Sequence, residues 1–322
     1  MSIIGFSEGF HDAAICRISN GNILHASHAE RYSKIKNDKW LHKQQIEINN
    51  CLGLQKPTIA YHEKTWLKNT RRLYSLKSWK NDKTSLEYDM SFYHHQSHAA
   101  AGYYTAPFDD CNIIVIDSIG EWDTISIWDN MKKIKSYKYP YSLGLLYSAI
   151  TQYIGLKPNE DEYITMGMAP FGEIKYRLDP YEDYHKGMKG DFEYIFDLAA
   201  SAQNRIEHEI EAIMRKAQHY SDYLCYGGGV ALNCVANSKI HSMFKDIWIM
   251  PNPGDAGSSL GAAASYYNKP LNWIDPYLGT NIRRKINVKR IVNHLLDYHY
   301  CGVANGRAEF GPRALGNRSP IA

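Results

Sequence analysis

No run of apolar residues in the 322-residue chain reaches the roughly 20 positions that a bilayer-spanning helix needs. The first residues, Met1-Ser2-Ile3-Ile4-Gly5-Phe6, enter strand-like sequence directly and lack the basic and apolar regions of a secretory leader. A cytoplasmic protein without membrane attachment is therefore expected. Cysteine is sparse: Cys16, Cys51, Cys111, Cys225, Cys234 and Cys301 lie scattered with no C-x-x-C pair, so a disulfide framework is excluded and reduced thiols are expected. Charge of one sign is missing as well. Lys and Arg total 37 against 34 Asp and Glu, a net +3, and no single-sign run stands out; only the 14 histidines could add local positive charge. That balance gives no broad electrostatic footprint for nucleic acid. Low-complexity tracts are absent too, and 44% hydrophobic with 22% charged residues is ordinary for a globular chain.

Single cores stop growing at roughly 250–300 residues, so this length predicts one compact unit or two halves. Short apolar runs alternate with turn residues at Ser2–Phe6, Ala13–Ile18 and Ile23–His28, with Asn20-Gly21-Asn22 at one turn, which predicts a β-meander. Helical spacing over Asp38–Leu54 and a strand at Pro57–His62 follow. The pattern then restarts. Ile113–Ile116 reads as a buried strand ending at Asp117, with further strands at Thr124–Trp128 and Ile134–Tyr139 and helices at Leu143–Ile154 and Leu198–Gln218. Tyr223–Tyr226 then runs into Gly227-Gly228-Gly229 and a helix from Val230. Two meander-plus-helix units in tandem predict a duplicated α/β fold of the actin and sugar-kinase-like (ASKHA) type, two lobes of about 1–110 and 111–300 around a central cleft.

His94 and His98 stand four apart in a helical segment, Tyr93–Tyr104, so both rings project from one face and can share a metal ion. For an isolated pair of this spacing, packing or capping is the commoner role. Two carboxylates strengthen the metal reading: Asp117 at its strand end, and Asp255 in Pro253-Gly254-Asp255-Ala256-Gly257 before the small-residue helix Ser258–Ala264. A two-His, two-Asp set suits iron, zinc or manganese and leaves room for a substrate oxygen. Either aspartate is equally a turn former or helix cap by residue type. Gly227, Gly228 and Gly229 follow a strand and open a helix, which lets backbone amides approach a phosphate. His11, in the turn Gly9-Phe10-His11-Asp12-Ala13-Ala14, is placed to take a proton from a hydroxyl, or merely to sit in a hairpin turn. The last segment, Gly306–Ser319, sets Arg307, Arg313 and Arg318 among glycines, a pattern suited to phosphate or carboxylate.

Taken in order, several motifs resemble the O-carbamoyltransferase family of nodulation-factor and antibiotic-modifying enzymes. They are His11-Asp12-Ala13-Ala14, Ala29-Glu30-Arg31-Tyr32-Ser33, the His94–His98 segment, Asp117 with Gly120-Glu121-Trp122, Met166–Gly172, Gly227–Asn237, Gly254–Gly257 and the terminal arginine motif. The resemblance implies a lobe similar to the tRNA threonylcarbamoyl-transfer protein. It further implies that carbamoyl-adenylate, made from carbamoyl phosphate and ATP, donates its carbamoyl group to an acceptor hydroxyl. By position His94, His98, Asp117 and Asp255 match the family's Fe2+ ligands, another divalent metal being possible on donor chemistry, and His11 matches its catalytic histidine. Gly227, Gly228, Gly229, Asn233, Glu162, Arg307 and Arg313 are the expected nucleotide-binding set. The acceptor is left open among sugars, antibiotics and hydroxymethylated pyrimidines of nucleotides or DNA.

The sequence departs from the family at Ile164, where a lysine is usual, and in a shorter stretch between Asp255 and Arg307. Residues 1–300 are expected to form the carbamoyl-transfer domain. Residues 301–322 are expected to open a second, activating domain that the chain otherwise lacks, which implies either a piece of a longer protein or a partnership with a separate activating subunit. Two alternatives of other kinds stand beside carbamoyl transfer to a small acceptor. One is a non-catalytic nucleotide-binding subunit; the other is a nucleic-acid-modifying enzyme, acting on a hydroxymethylated base or on tRNA.

Overall fold

A computed structural model describes residues 1–53, 56–80, 83–284 and 286–322. Two five-stranded sheets repeat one topology. In the first, β1 (Ser2–Ser7), β2 (Ala14–Ser19) and β3 (Asn22–His28) form an antiparallel meander, and β4 (Thr58–Tyr61) and β5 (Met90–Ser91) continue it in parallel, giving the order β3-β2-β1-β4-β5. In the second, β6 (Asn112–Ile116), β7 (Asp123–Asp129) and β8 (Lys132–Lys138) form the meander, and β9 (Tyr223–Gly227) and β10 (Asp246–Trp248) add in parallel, giving β8-β7-β6-β9-β10. Equal order with equal pairing sense is the duplicated actin and sugar-kinase-like α/β fold that the sequence pattern predicts.

Helices α1 (Glu30–Ser33), α2 (Lys43–Cys51), α3 (Thr65–Leu76) and α4 (His94–Tyr103) accompany the first sheet. Helices α5 (Leu143–Tyr153), α6 (Glu162–Met168), α7 (Ile195–Ala217), α8 (Cys234–Ile240) and α9 (Ser258–Tyr267) accompany the second. A tenth helix, α10 (Val288–Tyr298), leads into two short antiparallel pairings, Cys301–Ala304 with Arg318–Ile321 and Asn281–Ile282 with Gly306–Arg307. Among the described residues no helix is long and apolar enough to cross a membrane, and all six cysteines are free thiols.

The central feature is an exchange of helices. Helix α4 follows the first sheet but packs on β6 and β9 of the second; α9 follows the second sheet but packs on β1, β2 and β4 of the first, and the two helices lie against each other. Their composition permits this. Ala99, Ala100, Ala101 and Gly102 on α4, and Ser258, Ser259, Gly261, Ala262, Ala263 and Ala264 on α9, are all buried, so the backbones approach closely. A Cβ on Gly261 would fall 1.7 Å from the carbonyl oxygen of Ser97, which no small adjustment accommodates. The crossing brings the first turn of α4, the start of α9 and the end of β6 to one point.

Each sheet has its own apolar core. Leu198, Ala202, Ile206, Ile210, Ile213 and Ala217 form one stripe of α7 and pack on Ile114, Ile116, Leu146 and Ile150. Burying a side chain of the Leu or Ile type contributes about 1.5–3 kcal/mol, so this stripe fixes α7 firmly. Ile3, Cys16, Ile18, Met250, Leu260 and Phe310 belong to the core of the first sheet.

Some boundaries differ from the sequence pattern. The helix expected over Asp38–Leu54 spans Lys43–Cys51, with His42 capping its start, while Leu54 lies outside the described residues. The helix expected from Val230 is a single 3-10 turn, Gly229–Leu232, and α8 starts only after Asn233. Asn233 is extended, and its side chain accepts from the Ala236 amide at 3.0 Å, the geometry of a helix N-cap. Helix α3 escaped the pattern altogether because its polar residues Lys68, Asn69, Arg71 and Arg72 face inward while Trp66, Leu73 and Tyr74 face solvent.

Candidate functional site

His94 and His98 lie one turn apart at the start of α4, Asp117 follows the last residue of β6, and Asp255 opens the short turn that runs into α9. One ligand atom from each of these residues falls within 4.8 Å of all the others. The Nε2 atoms of His94 and His98 are 3.0 Å apart. Asp117 Oδ2 lies 2.8 Å from His94 Nε2 and 3.4 Å from His98 Nε2, and Asp255 Oδ1 lies 3.4 and 3.3 Å from the same two nitrogens.

Surrounding hydrogen bonds aim these atoms. The Nδ1–H of His98 donates to the Pro253 carbonyl at 3.0 Å, so the neutral ring turns the lone pair of Nε2 toward the cluster. The Gly228 amide donates to that same carbonyl at 2.9 Å, tying the glycine turn to the Asp255 loop. The Gly229 amide donates to Asp117 Oδ1 at 3.2 Å, which leaves Oδ2 to face the histidines. Gly228 itself has φ +88°, and a Cβ there would meet the Ile116 carbonyl oxygen at 2.2 Å, so no other residue fits this turn. Two neutral imidazole nitrogens and two carboxylates converging on one point is a donor set that suits a borderline divalent ion such as iron, zinc or manganese, and the residues present fit one.

His11 stands beside the cluster. Its Nδ1 is 2.8 Å from Asp12 Oδ2, and its Nε2 is 3.6 Å from Asp255 Oδ2, the oxygen not turned to the histidine pair. Burial alone would lower its pKa, but the Asp255 charge and the Asp12 hydrogen bond outweigh burial and raise it to about 9. His94 and His98 are likewise raised against the pull of burial, chiefly through Asp255 and Asp117. Burial pushes both carboxylates up, with repulsion from Asp255 adding to it at Asp117, yet the histidines hold both below their usual range. His95, off the shared face, bonds Ser126 Oγ at 2.8 Å and is kept neutral by burial.

These shifts predict a pH response for protein stripped of metal by a chelator. A histidine raised from 6.5 to about 9 contributes full stability below 6.5 and loses it as pH rises through about 9. The depressed aspartates contribute above their ordinary 3.8 and lose it as pH falls. The thermal midpoint of stripped protein should therefore be highest between these limits and decline from pH 6.5 to 9, whereas ion-loaded protein, in which a cation would offset the Asp255 charge that raises His11, should not decline there. A stripped midpoint that rises over this range would contradict the arrangement.

Through Asp117 and Asp255 the cluster borders a cavity of about 510 Å³ lined by both halves of the molecule. His11, Asp117, Asp255, Gly229, Asn233, Glu162 and Arg313 all line it. One end is apolar, with Leu143, Met166, Ile206, Val230 and Leu232; near His11 it is polar, with Glu30, Lys36, Asn37 and Glu160. Glu162 accepts from Ser148 Oγ at 2.7 Å and from the Asn159 amide at 2.6 Å. Gly227 and Gly228 shape the turn without lining the cavity. Arg307 lies apart, because its guanidinium donates to the main-chain carbonyls of Leu24, Leu278 and Gly279 and joins the terminal segment to the first sheet. Ile164 is also off the cavity wall, where the cations are Lys36 and Arg313.

Residue types alone did not point to three further groups. Glu121 is buried against the first turn of α4. His28 and Asn252, 3.0 Å apart, form part of the cavity wall. A lone histidine at a strand end and an asparagine in a Pro-Asn-Pro loop carry no spacing that would flag them.

A family model described as "Carbamoyltransferase N-terminus" matches residues 55–218 and 179–264. An uncharacterized protein of Synechocystis sp. is 30% identical, the similarity covering 99% of this chain and 70% of that protein. The nodulation protein NolNO of Sinorhizobium fredii is 28% identical, covering 97% of this chain and 58% of its own length. Among solved structures, the activator of the 2-hydroxyisocaproyl-CoA dehydratase from Clostridium difficile with bound ADPNP is similar at a TM-score of 0.49, with 14% identity over 85% of this chain and 100% of that one.

Proposed function

The chain belongs to the carbamoyltransferase family, and on that footing we propose that it transfers a carbamoyl group from carbamoyl-adenylate to the hydroxyl of an acceptor. The observation that carries this reading is the convergence of His94, His98, Asp117 and Asp255, two of which, Asp117 and Asp255, line a cavity that His11 and Gly229 also line. When bound by these four residues, a divalent ion would polarise the carbamoyl or phosphate oxygen and offset the two carboxylate charges. His11, held by Asp12 through Nδ1, presents Nε2 toward the cleft and takes the proton of the incoming hydroxyl. The bond from acceptor oxygen to carbamoyl carbon forms, the bond from that carbon to the phosphate oxygen breaks, and AMP leaves.

The apolar end of the cavity suits the adenosine moiety, with Asn233 and Glu162 fixed beside it, and Arg313 supplies positive charge for the phosphate. Protonation of His11 in the ion-free chain makes a second role for the ion. An ion held by the cluster would offset the charge of Asp255, and His11, relieved of that charge, would hold its proton less tightly and act as a base.

The reading is tested by incubating ion-loaded protein with supplied carbamoyl-adenylate and separate panels of sugars, nucleosides and hydroxymethylated DNA. The expected result by mass spectrometry is one added carbamoyl group on members of one panel. Nucleotide binding without transfer to any panel would overturn the reading in favour of a non-catalytic nucleotide-binding subunit.

A further inference from the structure

Glu121 lies four residues beyond Asp117, in the loop between β6 and β7, and is 5% exposed. Its Oε1 accepts two amide hydrogens, from Lys64 at 2.8 Å and from His94 at 3.0 Å. The second is informative. The first amides of a helix have no partner within it, and Tyr93, the residue at the N-cap of α4, contributes no side-chain bond. The cap arrives instead from another loop, as a carboxylate, the charge that the positive end of a helix dipole favours.

The loop is fixed at both ends. The Asp117 amide donates to Thr124 at 2.9 Å, the Gly120 amide to Asp123 at 2.9 Å, and Arg71 Nε on α3 donates to the Glu121 carbonyl at 3.2 Å. Gly120 lets the loop lie flush on the helix: a Cβ there would fall 3.1 Å from His94 Cβ and 3.0 Å from the ring of His95. The segment 117–121 therefore begins at one cluster aspartate and ends by gripping the backbone of a cluster histidine.

We infer that Glu121 is the positioning residue that holds His94 and Asp117 in register for the ion, an inference that rests on the metal reading above. It touches neither ion nor substrate. It acts by setting where α4 starts relative to the end of β6, and groups that orient metal ligands in this way typically alter affinity by roughly 10–100-fold.

The test measures zinc(II) affinity by competition with a chromophoric chelator, for the parent and for Glu121→Ala, Glu121→Gln and Glu121→Asp, with folding checked by circular dichroism. Glutamine keeps an oxygen acceptor at the same reach and should bind zinc close to the parent value. Aspartate keeps the charge but is one methylene too short to hold both amides, and should be weakened toward the roughly 10–100-fold loss expected for alanine. If alanine does not fold, the glutamine and aspartate pair still decides. Aspartate at parent affinity with glutamine weakened would overturn the inference in favour of charge alone, and parent affinity in all variants would overturn it outright. A parent chain that binds no zinc would instead remove the metal reading on which it rests. Folded Glu121→Asp should also lower kcat for transfer while leaving the acceptor KM unchanged, since Glu121 meets no acceptor.

Discussion

Replacing His98 with alanine should abolish stable ion binding and reduce carbamoyl transfer by roughly a thousandfold, while the chain stays folded. The magnitude follows from the several kcal/mol of charge stabilisation that a bound ion supplies, at about 1.4 kcal/mol per tenfold in rate. His98 is the sharpest place for this change because its Nε2 is aimed by a single hydrogen bond from Nδ1 to Pro253 and meets Asp117 and Asp255 at 3.4 and 3.3 Å. Its loss leaves two buried carboxylates with one cluster histidine between them, while His11, which carries the alkaline decline predicted for stripped protein, is unchanged. Elemental analysis beside a transfer assay checks the expectation. Retention of both metal and activity would remove the centre from the mechanism.

Replacing His11 with alanine should separate chemistry from ligation. General-base catalysis contributes about 10²–10⁴-fold, so transfer should fall by that amount while metal content stays at the parent value. The geometry requires this split: His11 Nδ1 is held by Asp12 at 2.8 Å, and its Nε2 approaches only the outer oxygen of Asp255, at 3.6 Å. Asn or Gln at this position cannot accept a proton and should not restore the rate. Loss of metal from the alanine variant would make His11 a ligand instead of a base, and an unchanged rate would leave it no role in proton transfer.

The fold was legible because both meanders carry short apolar runs broken by turn residues, and each leads into helices with apolar spacing. What sequence periodicity could not convey is the exchange of α4 and α9 between the sheets. The Ala, Ser and Gly faces that allow it read simply as small residues until Gly261 is seen against Ser97. That crossing is what joins His94 and His98 to Asp255, residues more than 150 positions apart. Helix α3 was missed for the opposite reason: its buried face is cationic, with Lys68 paired to Glu63 at 2.6 Å and Arg71 donating to Glu121.

Among the site residues, the four candidate ligands and His11 were named by residue type together with family resemblance, and they come together in the structure. The glycine turn is less simply a phosphate cradle than its sequence suggests. The Gly228 and Gly229 amides are engaged with Pro253 and Asp117, so the turn supports the ligand set directly. Arg307 was singled out with Arg313 because both stand in one arginine motif, but Arg307 sits in a short strand pairing with its guanidinium on main-chain carbonyls, whereas Arg313 lies in the bend that follows and lines the cleft. Glu121 entered the sequence reading only within the Gly120-Glu121-Trp122 motif of the resemblance and with no role, since capping a helix from a distant loop leaves no local spacing to read.

The most direct test of the account is to strip the chain of metal, add back iron(II), zinc(II) or manganese(II) in steps, and follow transfer from supplied carbamoyl-adenylate to a responsive acceptor. Stripped protein should show no transfer, and recovery should rise with bound ion and saturate once every chain holds one. Transfer by stripped protein at the rate of the loaded protein would contradict it.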